Sequence, residues 1–551
     1  MIKSVTMLIV ACFFATAGFA ARARIEWRTY VQPDGQVLTL TLSGDEYFHC
    51  YKDIKGNIYT RDGDGVFHLM SPEEIQIQEE TIYTRSSLPL PATIHTDWDP
   101  HRIYRQLVVL VSFSDCDFSM DDPQATYNAI FNERGYNQRV GPGCVADYFR
   151  DQSEGRLNMQ FDVYGPVKVS TTVKQSGSTR KISAKTVCQE AAQKLIEQYP
   201  EMDFSVYDWY GEKKVTRVIF VYAGYAGNDA GYEYTWPTTG YFSAVTTPDD
   251  YNITHYSASG ELWYNNTSCG IGTICHEFTH CLGLPDVYMA ATSDPIVDEW
   301  DLMDGGSYTN RGWCPPNYSP LEKMLLGWLT PVELTNDTVI TGLKPIAEGG
   351  EAYIIHHTDV EFYLIENRQW KGWDLGLPGQ GLLVYHVLYD KNTWGNNKIN
   401  NREGYPYYSI VAADNMTYTD WYNYWISTYG KKSPYTDSRR LNSRLMSTAP
   451  YPFDSDGIVN CELSATSVPA TEMYTANEKG DTILSKSISD IAQHDDGTVS
   501  FVFHSSIPDD VSTPRTTTAE TSAIYTLQGS RIAVPRRGSL YIRNGRKYIA
   551  R

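Results

Sequence analysis

Leu107 to Phe113 is an unbroken apolar run, and Val215 to Tyr222 repeats it. Runs of this length and β-branched content predict strands buried on both faces. Between them, Lys181 to Tyr199 carries Val187, Ala191 and Leu195 four apart, the period of a helix with one buried face. Val37 to Leu42 instead alternates polar and apolar positions, with turns at Asp34-Gly35 and Lys55-Gly56-Asn57 and a further extended stretch opening at Tyr47-Phe48-His49. After residue 331 the pattern becomes short alternating strands, such as Ala352 to Ile355 and Val499 to Phe503, separated by turns rich in Gly, Asn and Asp. These periodicities predict an α+β protein. It has a small β-rich unit and linker at 21–100, a mixed unit at 101–330, a β-rich region at 331–505, a Ser/Thr/Pro/Asp-rich linker at 506–520 and a tail at 521–551.

The first twenty residues stand outside this plan. Lys3 precedes an apolar run from Val5 to Ala17, and small Gly18 and Ala20 follow. This is the layout of an export signal at 1–20 cut after Ala20, and the run is too short to span a bilayer. Ile9-Val10-Ala11-Cys12 has lipoprotein-signal character, but the run continues through Phe14, which disfavours a cut there. No other segment is long and apolar enough for a transmembrane segment, so a secreted or cell-surface protein is expected. A net charge of −20 and a pI near 5.0 exclude nucleic acid and anionic membranes as natural partners, since both repel such a surface. Of the ten cysteines, nine follow the signal. Cys269, Cys275, Cys281 and Cys314 cluster in sequence, and buried thiols with one or two bridges are expected.

Chemistry concentrates in His276-Glu277-Phe278-Thr279-His280-Cys281-Leu282-Gly283-Leu284-Pro285-Asp286. Residues four apart share a helix face, so His276 and His280 can aim ring nitrogens at one Zn2+ ion. Glu277 lies beside them as general base, placed to take a proton from water whose pKa zinc lowers to about 7. Gly283 suits the left-handed residue that ends a helix and turns the chain back, and Asp286 can then supply a third ligand, leaving a fourth position open. Asp294, Asp298 and Glu299 are the alternatives for that third ligand. Apolar Ile274, Phe278 and Leu282 make the same helix a core element. The spacing resembles the elongated metzincin motif, with aspartate where the third ligand is usually histidine. Trp300-Asp301-Leu302-Met303-Asp304-Gly305-Gly306-Ser307-Tyr308 resembles a Met-turn, in which Met303 forms an apolar floor under the metal. Tyr308 is a candidate oxyanion donor, although packing is the more usual role of a tyrosine in a chain with 41 of them.

Flanking segments narrow the resemblance. Cys144-Val145-Ala146-Asp147-Tyr148-Phe149-Arg150-Asp151-Gln152-Ser153, Leu284-Pro285-Asp286, Tyr318-Ser319-Pro320 with Leu326-Gly327-Trp328, Ile365-Glu366-Asn367-Arg368-Gln369, Gly372-Trp373-Asp374 and Gly381-Leu382-Leu383-Val384-Tyr385-His386 are together similar to the immune inhibitor A family of secreted bacterial zinc metallopeptidases. The resemblance spans roughly residues 25 to 400. It implies a zincin/metzincin-like catalytic domain at 101–330, a prodomain at 21–100, and an endopeptidase made as a zymogen that acts on protein or peptide substrates. In such zymogens a propeptide group fills the open metal position, and Asp45, Glu46, His49 and Cys50 are the side chains chemically able to do so. In a zincin-like arrangement the substrate adds as an extended strand above the metal helix.

Two further readings concern the C-terminal half. Asp414, Asp454 and Asp456 offer oxygens suited to Ca2+, without EF-hand spacing. The aromatic stretch Tyr405 to Tyr429 is read as core, with substrate or glycan contact as the alternative. The tail carries Arg531, Arg536, Arg537, Arg543, Arg546, Lys547 and Arg551 on strand-like sequence. It resembles the short sorting tails of type IX secretion cargo, a structural hairpin being the competing reading. Rival functions for the whole chain are an inactive surface adhesin on a protease scaffold, and a zinc amidase acting on cell-wall amides.

Overall fold

The computed structural model describes residues 21–45, 49–77, 94–136, 141–174, 183–231, 233–289, 294–402, 404–429, 445–455 and 458–506, with the backbone of 18–19 and of four short tail strands. The apolar runs become the centre of a seven-stranded mixed sheet. Ile103–Ser112 pairs in parallel with Asn158–Lys168 on one side and Val218–Tyr225 on the other, and Val218–Tyr225 pairs in parallel with Asn252–Leu262. Thr238–Thr246 closes this side antiparallel, and Gly18–Phe19 adds antiparallel to it, outermost in the sheet. The second run begins its main strand at Val218 rather than Val215, because Lys214–Val215 is a separate short strand against Asn252–Leu262.

Successive residues of a strand face opposite sides, so Leu107, Val109 and Val111 meet one layer while Val108 and Leu110 meet another. The first layer is the helix Ala184–Gln198, which buries Val187, Ala191 and Leu195 as its period requires. The second holds Pro123–Asn132, Val145–Gln152 and Gly272–Leu282, with Ile130, Tyr148, Ile274 and Phe278 packed together. Placing the Gly272–Leu282 helix against the sheet fixes the height at which its histidines stand.

The β-rich region joins the same core. Val332–Glu333, Tyr353–His356, Glu361–Arg368, Gly381–Leu388 and Tyr408–Ile410 form a five-stranded sheet. Ile354, Leu364, Leu383 and Tyr385 from this sheet belong to the cluster that contains the Gly272–Leu282 helix, while Ile365 and Val384 face a separate core with Ile488 and Phe501. The aromatic stretch contains a helix, Tyr418–Tyr429, whose Trp421 and Trp425 are buried in the shared core. At the other end, five antiparallel strands from Trp27 to Leu69 form the N-terminal unit. Its core of Leu38, Leu40, Leu42, Tyr51 and Phe67 includes Trp236 from the neighbouring unit.

Several expectations change. All nine described cysteines are thiols, and Cys144 caps the Val145–Gln152 helix, accepting from Asp147 N at 3.4 Å. The expected bridges are absent among them, and seven of the nine are buried as small apolar groups. Asp414 spends its carboxylate on Trp421 Nε1 at 2.7 Å, the Thr448 hydroxyl at 2.6 Å and Met416 N at 3.0 Å, which leaves calcium no donor set there. Asp456, Glu46, most of 1–20 and most of 506–520 lie outside the described residues. The tail is a four-stranded antiparallel sheet of Ile524–Tyr525, Arg531–Ile532, Leu540–Arg543 and Arg546–Ile549 rather than a single hairpin.

Candidate metal centre and catalytic site

The Gly272–Leu282 helix ends where the sequence says it should. Gly283 takes φ 101°, and its N–H returns to the carbonyls of Thr279 and His280. That reversal carries Leu284 back under the last turn, where its carbonyl accepts His280 Nδ1 at 2.8 Å. His276 Nδ1 donates to the carbonyl of Leu302 at 2.9 Å. A carbonyl only accepts, so both rings carry their proton on Nδ1 and present an Nε2 lone pair.

Those lone pairs converge on Asp286. Its Oδ1 lies 3.3 Å from His276 Nε2 and 3.3 Å from His280 Nε2. All three side chains are buried. His276 Nε2 and Asp286 Oδ1 have no hydrogen-bond partner. Three acceptor atoms held together away from water repel one another unless a cation sits between them. Ligands about 2.1 Å from a tetrahedral zinc stand about 3.4 Å apart, so the spacing fits that ion. Among the described residues, this is the one group of three or more His, Cys, Asp or Glu side chains whose ligand atoms lie within 4.8 Å of one another.

The alternatives for the third ligand are engaged elsewhere. Asp294 pairs with Lys52 at 3.2 Å and Asp298 with Arg22 at 2.6 Å, and Glu299 is outside the cluster. Asp286 is steadied from the β-rich region. Asn397 Nδ2 donates to Asp286 Oδ2 at 3.0 Å, and Asp286 N donates to Asn397 Oδ1 at 2.8 Å.

Glu277 lies beside the cluster and is fully buried. Its Oε2 accepts from the Thr239 hydroxyl at 2.9 Å, a residue of the antiparallel edge strand. Its Oε1 accepts the backbone N–H of Ala21 at 2.8 Å. Burial pushes the carboxyl up to about 8, against the His276 ring, the Ala21 N–H and Thr239.

The group nearest Glu277 from the N-terminal unit is therefore a backbone nitrogen and not one of the expected side chains. His49 stacks on Trp236 at 5.2 Å, Cys50 is buried on its own strand, and Asp45 is outside the metal cluster. Ala21 is held by Trp236 Nε1, which donates to its carbonyl at 2.8 Å. Tyr308 holds the same segment. Its hydroxyl donates to the Arg22 carbonyl and accepts from Asn228 Nδ2 at 3.0 Å, so its partners are not the metal cluster. Met303 is fully buried, its N–H on Asp301 Oδ1 at 2.8 Å and its carbonyl taking Val287 N at 3.0 Å. Thr239, Asn397 and the Ala21 segment were not singled out by sequence. The Ala-Arg-Ala-Arg alternation after Ala20 was a visible signal, whereas Asn397 carried none.

A mixed sheet with a buried His-Glu-x-x-His helix defines the class as a metallopeptidase, and comparison supports it. Residues 222–326 match the family described as immune inhibitor A peptidase M6, catalytic domain, which supports that family for this segment. A search of curated proteins gave no match. Proteins or peptides are accordingly its substrates. No helix among the described residues is long and apolar enough to cross a membrane.

Proposed function

We propose that this chain is a secreted zinc endopeptidase of metzincin-like architecture, made as a zymogen. The observation that carries the reading is the convergence of His276 Nε2, His280 Nε2 and Asp286 Oδ1 with Glu277 beside them. When bound there, zinc supplies a Lewis acid that activates water and polarises the substrate carbonyl. Glu277 accepts the proton of the attacking water and returns it to the leaving nitrogen, while Thr239 fixes the carboxylate's orientation. Leu284 and Leu302 carbonyls hold both imidazoles in the ligating tautomer, and Asn397 does the same for the carboxylate.

Export by a signal at 1–20 fits this chemistry, and the 21–100 unit then acts as the prodomain. A cut after Ala20 turns Ala21 N into an ammonium group beside Glu277, so the segment that shields the site gains charge complementarity at the moment of export. Removal of the 21–100 unit opens the cleft. The tail at 521–551 is proposed as the sorting signal for a type IX system. An adhesin without activity is disfavoured, since a binding scaffold has no need to bury acceptor atoms face to face. The test is zinc content and casein cleavage by processed wild type and Glu277→Ala. Glu277→Ala is expected to keep the metal and lose cleavage, and equal cleavage by both removes Glu277 from the mechanism.

A further inference from the structure

The Arg22 side chain ends in a buried acidic cup that belongs to the peptidase unit. Its Nη2 donates to Asp298 Oδ1 at 2.6 Å and its Nε donates to Asp304 Oδ1 at 3.0 Å, with only 2% of the residue exposed. The cup is built independently of its occupant. Asp304 Oδ2 accepts three backbone N–H groups, from Ile296 and Val297 at 2.9 Å and Asp298 at 2.8 Å. Asp298 stands at φ 50°, which aspartate tolerates better than most residues. Gly305 forms the wall, where a Cβ would lie 2.3 Å from Arg22 Nη2 and 2.5 Å from Asp298 Oδ1. Above it, Tyr308 grips the Arg22 carbonyl and sets its ring 6.0 Å from the guanidinium carbon.

The segment lies in the cleft as a substrate would. Gly18 and Phe19 pair antiparallel with Gly240 and Thr239 of the edge strand, and Ala21 N meets the Glu277 carboxylate two residues later. A leaving amine must receive its proton there, so Ala21 N stands where the leaving nitrogen of a substrate would. Arg22 is then the second residue on the leaving side. Asp298 Oδ1 and Asp304 Oδ1 both face the Arg22 guanidinium in a site this buried, where a charged carboxylate calls for a cation beside it. When a peptide replaces the segment, that demand passes to the peptide's own side chain at the same place. One acceptor addresses Nε and the other Nη2, a fork that a guanidinium fills and an ammonium does not.

We propose that Asp298 and Asp304 form the specificity-determining subsite of this enzyme, selecting arginine as the second residue after the cleaved bond. The assignment rests on the peptidase reading above. Arg24 adds less, because its partner Asp229, 3.4 Å away, is bonded more closely by Arg28 at 2.8 Å.

Two experiments test it. Protein processed from the full chain is given quenched peptides identical except for Arg, Lys or Ala at that position, alongside casein. The Arg peptide is expected to exceed the Ala peptide at least 30-fold in kcat/KM, the scale of a buried charge pair losing one partner, with Lys between. In Asp298→Asn, which keeps a residue suited to positive φ, the Arg-to-Ala ratio falls below 3. Equal rates for the Arg and Ala peptides while casein is cut overturn the subsite and spare the peptidase reading. No cleavage of casein or any peptide by zinc-loaded protein overturns both. Independently of turnover, full-length Arg22→Ala is melted with and without ethylguanidinium. Recovery of its lowered Tm by ethylguanidinium, and not by ethylammonium or NaCl at equal ionic strength, is expected. No recovery, or equal recovery by all three, overturns a guanidinium cup.

Discussion

Two buried groupings among the described residues join histidine to carboxylate, and they are built to opposite ends. In the β-rich region, Glu361 Oε1 takes His386 Nε2 at 2.7 Å and Tyr474 N at 2.6 Å, while Oε2 takes Thr475 N at 2.8 Å and the Thr475 hydroxyl. Both oxygens are answered by protein donors. At the Gly272–Leu282 helix the donors have been sent away, each Nδ1–H spent on a carbonyl, so that acceptor atoms meet acceptor atoms. A histidine beside an acid says little alone. Where the ring protons go separates a structural pair from a place for a cation.

The largest effect that would sharpen this contrast is on turnover. Glu277→Gln should lower kcat about 10³-fold, within the range of a lost general base, with zinc content unchanged. Next comes the brace on the third ligand. Asn397→Ala should weaken zinc binding by about 10–100-fold in chelator competition, with the metal-free melting temperature unmoved. A melting loss without a change in zinc affinity would make Asn397 merely structural.

The satisfied pair should behave in the reverse manner. Glu361→Gln should cost about 1–3 kcal/mol in denaturant unfolding and leave zinc affinity alone. Burial pushes this carboxyl up, but His386, Thr475 and the Tyr474 and Thr475 N–H groups pull it down to about 2. Its folded value is thus below its unfolded one. The stability it contributes is present above the ordinary carboxylate range and is lost as pH falls from about 4.5 towards 2, a loss that Glu361→Gln should lack. The smallest effect is expected at Tyr308→Phe. Removing one hydrogen bond to the N-terminal segment should raise residual casein cleavage by the unprocessed chain about fivefold.

The same contrast explains what could be read from sequence. His276, His280, Glu277, Gly283 and Asp286 lie within eleven residues, where helix period and a terminating glycine dictate geometry. Asn397 reaches Asp286 across 111 residues and Ala21 reaches Glu277 across 256, so their contacts depend on how whole sheets pack. The central strands and the Ala184–Gln198 helix were legible from apolar period, with ends displaced by a few residues. The Tyr418–Tyr429 helix was not, because dense aromatics suit strand and helix cores alike. Nothing local reveals that the Tyr308 hydroxyl answers Arg22.

The most direct measurement is zinc stoichiometry after exhaustive dialysis of wild type, His280→Ala and His386→Ala. One zinc per chain is expected in wild type and His386→Ala, and none in His280→Ala. Zinc retained without His280, or lost with His386, would contradict a metal centre at the Gly272–Leu282 helix.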